Sequence, residues 1–250
     1  MPISHDIANY LNHFFDKILV VSVPRFTERH AAIDAQLKGL HYEFFWGADK
    51  LKLDEQFILD HYDDDKAKKL QRQGKGLNSG EVACSLSHRM LYATVLEQGW
   101  KKVLVLEDDA IPLLLNLPLL PEALNALPEN WELVYLGYQK HENVTTGLRI
   151  KQFFYSILSR LGLMKWSPVM ISNLLPIPYS KHLKKAGFHD CTHAYAISQT
   201  AAQKLLQVQT PVIYRADDLL SASVLKGNLE AFITEPKFFD QAQALPSEIR

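Results

Sequence analysis

The chain has 250 residues, 47% hydrophobic and 22% charged, with a formal net charge of −1. That is the balance of an ordinary globular protein able to bury a substantial core, and no global field draws it to nucleic acid or to an acidic bilayer, so any such contact has to come from a local patch. Two cysteines, Cys84 and Cys191, stand far apart and outside any C-x-x-C pattern, which gives neither a disulfide framework nor a zinc ligand set and suits a reducing compartment.

The first residues show no basic run leading into an apolar core, and no stretch of about 18 uncharged apolar residues occurs, so neither a signal peptide nor a membrane span is expected. A cytoplasmic protein folded as one domain over 1–250 is the expectation. Lys17 to Val23, β-branched and stopped by Pro24, reads as a first buried strand. Arg25, Glu28 and Arg29 follow, and Ala31, Ile33 and Leu37 space a helix up to Gly39. A basic loop at the carboxyl end of a strand is where open α/β sheets bind ligands. The same arginines would also serve as a solvated first helical turn. Tyr42 to Phe45 make a short aromatic strand before Gly47-Ala48-Asp49, and the segment from Lys50 to Gln73 sets Asp63-Asp64-Asp65 against Lys66, Lys68 and Lys69, the pattern of a solvated surface helix.

A stronger signal begins at Asn78, which can cap a helix whose third residue, Glu81, is a capping-box acid. This helix is expected to run through about Gln98, before Gly99. Val82, Leu86, Met90 and Ala93 share one face, and Glu81, Ser85, His88 and Tyr92 share another. The second face is unusual for a helix packed on a sheet, and His88 reads either as a hydrogen-bonded core histidine or as a ligand contact.

Next, Val103-Leu104-Val105-Leu106 runs into Glu107-Asp108-Asp109, as a buried parallel strand ending at a charged crevice would. Three adjacent carboxylates repel one another, which favours a geometry in which at least one faces a cation. A strand followed by an acidic solvated turn fits the same residues. After a leucine-rich segment punctuated by prolines, Trp131 to Gly137 make another strand, and the alternation of strands with helices implies a mostly parallel sheet covered on both faces.

From Tyr138 to about Asp190 the pattern weakens. Arg149, Lys151, Arg160 and Lys165 interleave with Phe153, Phe154, Tyr155, Leu158, Leu161, Leu163 and Trp166. Such a basic, aromatic segment lies on a membrane surface, walls a cleft or packs as an ordinary helix. Thr192 to Ser198 then read as a strand and Gln199 to Gln207 as a helix; Asp217 and Asp218 form a second acidic pair, which would compensate a helix dipole if it has no chemical task. Ala231 to Thr234 close the pattern as a short strand, with Gln241 and Gln243 in a polar tail.

In this order the pieces resemble the family 25 glycosyltransferases, which include bacterial lipooligosaccharide sugar transferases and collagen galactosyltransferases. Val20-Val21-Ser22-Val23 with Arg25 and Arg29 is similar to the family's opening strand and basic loop, and Leu77 through His88 to its most specific block. Leu104 through Ala110 is similar to its acidic motif, and His193 through Ser198 with Ala201 to Leu206, Asp217 and Asp218 to its C-terminal block. The resemblance covers about residues 17–243 and leaves 138–190 unmatched. Ser22-Val23-Pro24-Arg25 stands where the family often has an Asn-Leu-Asp-Arg-Arg type sequence, a departure at donor base and ribose recognition.

The resemblance implies a GT-A type, Rossmann-like α/β single domain, with a nucleotide-sugar part over about 17–137, an acceptor- or membrane-side insert over about 138–190 and a C-terminal part over about 191–243. It further implies Mn²⁺ or Mg²⁺ held by Glu107 and Asp109, with Asp108 on the ribose or supporting the loop. Arg25 and Arg29 would face the diphosphate, and Glu81, Ser85 and His88 the donor or acceptor side. In an inverting displacement a carboxylate takes the acceptor hydroxyl's proton; Asp218, then Asp217, are the candidates. The partners implied are a UDP-sugar, galactose as first donor, and a cell-surface lipopolysaccharide or lipooligosaccharide acceptor; the charge balance leads us to expect no nucleic acid, and the basic, aromatic segment from Arg149 to Trp166 leads us to expect peripheral contact at the inner face of the cytoplasmic membrane. Two other readings stay open: a metal-dependent phosphoryl-transfer enzyme, and a nucleotide-sugar-binding protein without transferase activity.

Overall fold

The computed structural model describes residues 3–70 and 74–242; Gln73 and Gln243, the far ends of the charged segment and the polar tail, fall outside them. The described chain opens with α1 (His5–Phe14), unannounced by the sequence reading, which buries Ile7, Ala8 and Leu11. It continues through β1 (Lys17–Ser22), α2 (Thr27–Gln36) and β2 (Tyr42–Trp46). The charged segment folds into two short helices, α3 (Glu55–His61) and α4 (Asp64–Leu70), where Lys66 pairs with Asp63 at 3.0 Å and Lys68 with Asp64. Asp63 and Asp64 thus meet lysines of their own segment.

Helix α5 (Ser79–Gln98) starts as its sequence dictates. The Glu81 N–H donates to Asn78 Oδ1 and the Asn78 N–H to Glu81 Oε2, both at 2.9 Å, and Gly99 ends the helix with φ at 71°. The expected apolar stripe is only partly right. Met90 is 41% exposed, while Leu91, Tyr92 and Val95 face the sheet and Val82 and Leu86 pack with Val212 under the α3–α4 segment. With neighbours on two sides, the first turns of α5 are buried almost all round.

The chain then forms β3 (Lys102–Glu107), β4 (Ala110–Pro112), α6 (Leu120–Asn125) and β5 (Leu133–Gln139). Strand β5 begins two residues later than Trp131 because the Trp131 N–H is taken by the Pro128 carbonyl and Glu132 Oε2 accepts the Glu230 N–H, which holds this corner outside the ladder. The weakly patterned region contains α7 (Thr146–Arg160), α8 (Pro168–Ser172), β6 (Ile177–Pro178) and β7 (Leu183–Lys185). Then come β8 (Asp190–Ser198), α9 (Gln199–Val208), α10 (Ala216–Leu225), β9 (Ala231–Thr234) and β10 (Phe239–Gln241).

The main sheet has the order β2-β1-β3-β8-β5-β9-β7-β6, and a small second sheet pairs β10 with β4. Strand β1 is parallel to β2 and β3, and β5 is parallel to β9. Because β8 runs antiparallel to both β3 and β5, those two point the same way. The sheet is therefore mostly parallel, with β8 and β7 reversed. Alternation along β3 explains its unbroken apolar run: Leu104 and Leu106 pack with α1, α2 and α6 on one face, Val103 and Val105 with α5, α9 and α10 on the other. This is the Rossmann-like α/β layering expected. The supposed polar tail is a correction: fully buried Phe238 and Phe239 draw it back onto the molecule, where β10 pairs with β4 and Gln241 becomes part of the crevice.

Candidate active site

Parallel β1 and β3 end side by side, with Val21 opposite Glu107, so their carboxyl ends open into one crevice. Asp108 is held within it from two directions: the Ser22 hydroxyl donates to its Oδ2, and Arg29 Nη1 donates to its Oδ1 at 2.8 Å. Arg25 Nε reaches both oxygens of Asp49 at 3.1 Å. The two arginines of the basic loop therefore stand on internal carboxylates at the wall of the crevice, and Asp108 supports the loop.

Glu107 is placed by a second set of partners. Thr192 Oγ1 donates to its Oε1, and His88 Nε2 stands 3.4 Å from the same oxygen. Burial pushes this carboxyl up, but the contacts with His88 and Thr192 more than offset it, and Glu107 sits below the usual carboxylate range. His88 Nδ1 lies 2.7 Å from the Tyr195 hydroxyl, itself 3.3 Å from the Tyr92 hydroxyl. With a proton on Nε2 facing Glu107, Nδ1 accepts from Tyr195, and the ring bridges carboxylate and core.

Asp109 behaves differently. Gln241 Nε2 donates to its Oδ2 at 2.9 Å, but its Oδ1 is buried without a hydrogen-bond partner. Burial first and the charge of Glu107 second lift its pKa to about 7. Cys84, one helical turn before His88, completes a cluster in which a cysteine sulfur, a histidine nitrogen and a Glu107 oxygen all lie within 4.8 Å of one another and could hold a metal ion. Burial, then the charges of Glu107, Asp217 and Asp109, push the Cys84 thiol well above its ordinary value, so a metal there would have to displace a proton.

The remaining predicted residues divide. Asp217 is raised by burial and by the charge of Asp218, whose N–H donates to Asp217 Oδ1 at 2.9 Å. Asp218 accepts from Arg215 Nε at 2.7 Å and lines a second, larger groove of about 650 Å³ beneath α7. Glu81 is engaged by the capping box and stands 3.8 Å from Arg215 Nη1. Ser85 is fully buried, its hydroxyl without a partner, and the hydroxyl on the crevice wall is that of Ser87, which donates to the Ala83 carbonyl and accepts the Ala48 N–H.

Sequence reasoning missed Ser22, Asp49, Cys84, Ser87, Thr192 and Gln241 as parts of the site. Cys84 had a usable signal, its i, i+4 spacing to His88. Asp49 had another, its place just past a strand end. Gln241 had none. A close approach also fixes Gly137, because a Cβ there would run into the buried His193 ring and stand 2.8 Å from the Phe239 carbonyl oxygen.

Residues 15–220 match the family model for glycosyltransferase family 25 (LPS biosynthesis protein). The chain belongs to glycosyltransferase family 25. Among relatives of this family 25 chain, the Bos taurus protein named "Probable inactive glycosyltransferase 25 family member 3" is 29% identical over 143 residues. That match takes in 54% of the chain and 19% of the bovine protein, so the chain spans a small part of the relative's length. The crystal structure of A197 from STIV overlaps 94% of the chain and 98% of its own length at 9% identity, with a TM-score of 0.34, too slight a likeness to bear on fold or function.

Proposed function

We propose that this family 25 chain transfers a hexose, galactose as the first candidate, from a UDP-sugar to a lipopolysaccharide-type acceptor by inverting displacement, with Mn²⁺ or Mg²⁺ that Glu107 and Asp109 would hold. The observation that carries the metal is Asp109: a buried, unpartnered oxygen on a carboxyl raised by its neighbour Glu107 is the mark of two acids sharing space that a hard cation would neutralise. When bound, the cation offsets the charge that develops on the departing diphosphate.

The chain's own groups do the rest. Thr192 and His88 fix the direction of Glu107, and Ser22 and Arg29 hold Asp108 so that the loop carrying Asp109 keeps its place. Arg25 and Arg29 border the crevice where a diphosphate would lie. Asp218, on the groove wall, takes the proton of the attacking acceptor hydroxyl, and Asp217 beside it is the alternate base. Pure protein with UDP-sugars and Mn²⁺ is the test. Slow donor hydrolysis or transfer is expected, and Asp218→Asn and Asp217→Asn, made separately, identify the base by a loss of about 10²–10⁴ in kcat; unchanged kcat in both variants removes the pair from the chemistry.

A second reading is a nucleotide-sugar-binding protein without transferase activity, favoured by the word "inactive" in the bovine relative's name and by the departure at Ser22-Val23-Pro24. Tight UDP binding by calorimetry with no transfer to any acceptor would select it.

A further inference from the structure

Helix α7 presents two faces. Leu148, Gln152, Tyr155 and Ser159 turn inward; Leu148 and Tyr155 wall the groove that also holds Asp218, Gln152 Nε2 donates to the Ile171 carbonyl, and Ser159 is buried. The other face is large, apolar and uncovered: Phe153 is 63% exposed, Phe154 58% and Leu161 66%, with Ile150, Ile157 and Leu158 beside them. At about 100° per residue these six side chains fill a sector roughly 140° wide. Arg149 and Arg160 border that sector on one side; Lys151 borders it on the other, its ammonium turned to the groove side at 5.4 Å from the Tyr155 ring centroid. The turn beyond the helix adds exposed Leu163 and Lys165, and α8 adds exposed Val169.

The charge here is one-sided. From Asn143 to His189 the sequence contains no Asp or Glu, although the whole chain carries a net charge of −1. Lys181, Lys184 and Lys185 are answered by Glu122, Glu235 and Glu230. Among the described residues no ion pair involves Arg149, Lys151, Arg160 or Lys165. An apolar strip flanked by cations is complementary to an anionic lipid surface, where the strip enters the acyl boundary and the cations meet headgroups. No helix among the described residues is long and apolar enough to cross a membrane.

We infer that α7 is an interfacial helix, which lies in the plane of an anionic membrane with Ile150, Phe153, Phe154, Ile157 and Leu161 immersed. Its inner face then keeps the groove and Asp218 on the protein side of α7, within a helix diameter of the bilayer surface at which a lipid-anchored acceptor would arrive. The docking itself stands without the transferase reading. A protein whose donor chemistry failed the test above would still bind vesicles.

Flotation of the full chain with phosphatidylglycerol–phosphatidylcholine vesicles decides the matter. Co-flotation at low salt, release at high salt and little binding to pure phosphatidylcholine are expected. The double variant F153S/F154S should lose binding by about tenfold or more, because the strip's apolar area sets the affinity. Its thermal midpoint and its turnover of a water-soluble acceptor should match the parent, since neither side chain touches the groove. Failure of the parent to float on anionic vesicles overturns the inference, as does undiminished flotation of the double variant. So does a parent dimer, found by light scattering without vesicles, that the double variant splits, because the strip would then be covered by a second copy.

Discussion

The crevice at the ends of β1 and β3 is walled by α5 and the groove under α7 by α10, and the two are built on opposite principles. In the crevice the acids are held by other side chains: Asp108 by Ser22 and Arg29, Asp49 by Arg25, Glu107 by Thr192. Strand ends anchor them, so the charges stand where they are needed before any ligand arrives. The groove is walled by helices and loops and by half-buried Tyr155, Trp166 and Met170. Such side chains adapt. The difference separates a fixed place for charge from an adjustable place for shape, and substitutions on the two sides should fail differently.

The largest effect is expected in the crevice. Asp109→Asn should lower kcat by about 10²-fold or more if a cation's several kcal/mol of charge stabilisation depend on it, with the acceptor KM unmoved. The same variant has a signature in stability. Burial and Glu107 raise Asp109's pKa to about 7 in the folded chain, against an ordinary value of about 4 unfolded. Between these values the folded state holds a proton that the unfolded state has lost, so stability falls as pH rises through that window. Urea melts at several pH values should show a shallower decline in Asp109→Asn, and Mn²⁺ should reverse the decline in the parent. A parent with no such slope would break the picture of two acids sharing space.

Gly137→Ala comes next, because the added methyl meets the His193 ring and the Phe239 carbonyl; overpacking of this kind should cost about 1–3 kcal/mol in a denaturant melt. On the groove side, Tyr155→Ala should raise the acceptor KM by about tenfold, or roughly 1.4 kcal/mol of binding, and leave kcat alone. Should Tyr155→Ala instead lower kcat like Asp109→Asn, the two regions would be one catalytic surface and the division would fall.

Legibility in the sequence followed the same division. Val103 to Leu106 read as a strand buried on both faces because four apolar residues leave no polar side, and Asn78 with Glu81 located the start of α5 because capping chemistry is local. The acids at 107–109 were legible as a group. Their separate states were not, since those depend on Gln241, Thr192 and His88, which come from distant parts of the chain. The amphipathic character of α7 could be read from its alternation of basic and aromatic residues, but not that its apolar face looks outward. Nor could the reversal of β8 be foreseen, because a strand buried on both faces has the same pattern in either direction.

That reversed strand governs how the molecule can come into being. Strand β8 is hydrogen-bonded between β3 and β5, which both precede it in the chain, and it carries Thr192, His193 and Tyr195. A growing polypeptide that has already made β3 and β5 still has a gap between them, and Glu107 has no threonine to orient it. Residues 190–198 close the gap last, from far along the chain, the kind of non-local pairing that slows folding. Cut before β8, the chain keeps Glu107, Asp108, Asp109, Arg25 and Arg29 but loses the strand that brings Thr192 to Glu107 and Tyr195 to His88.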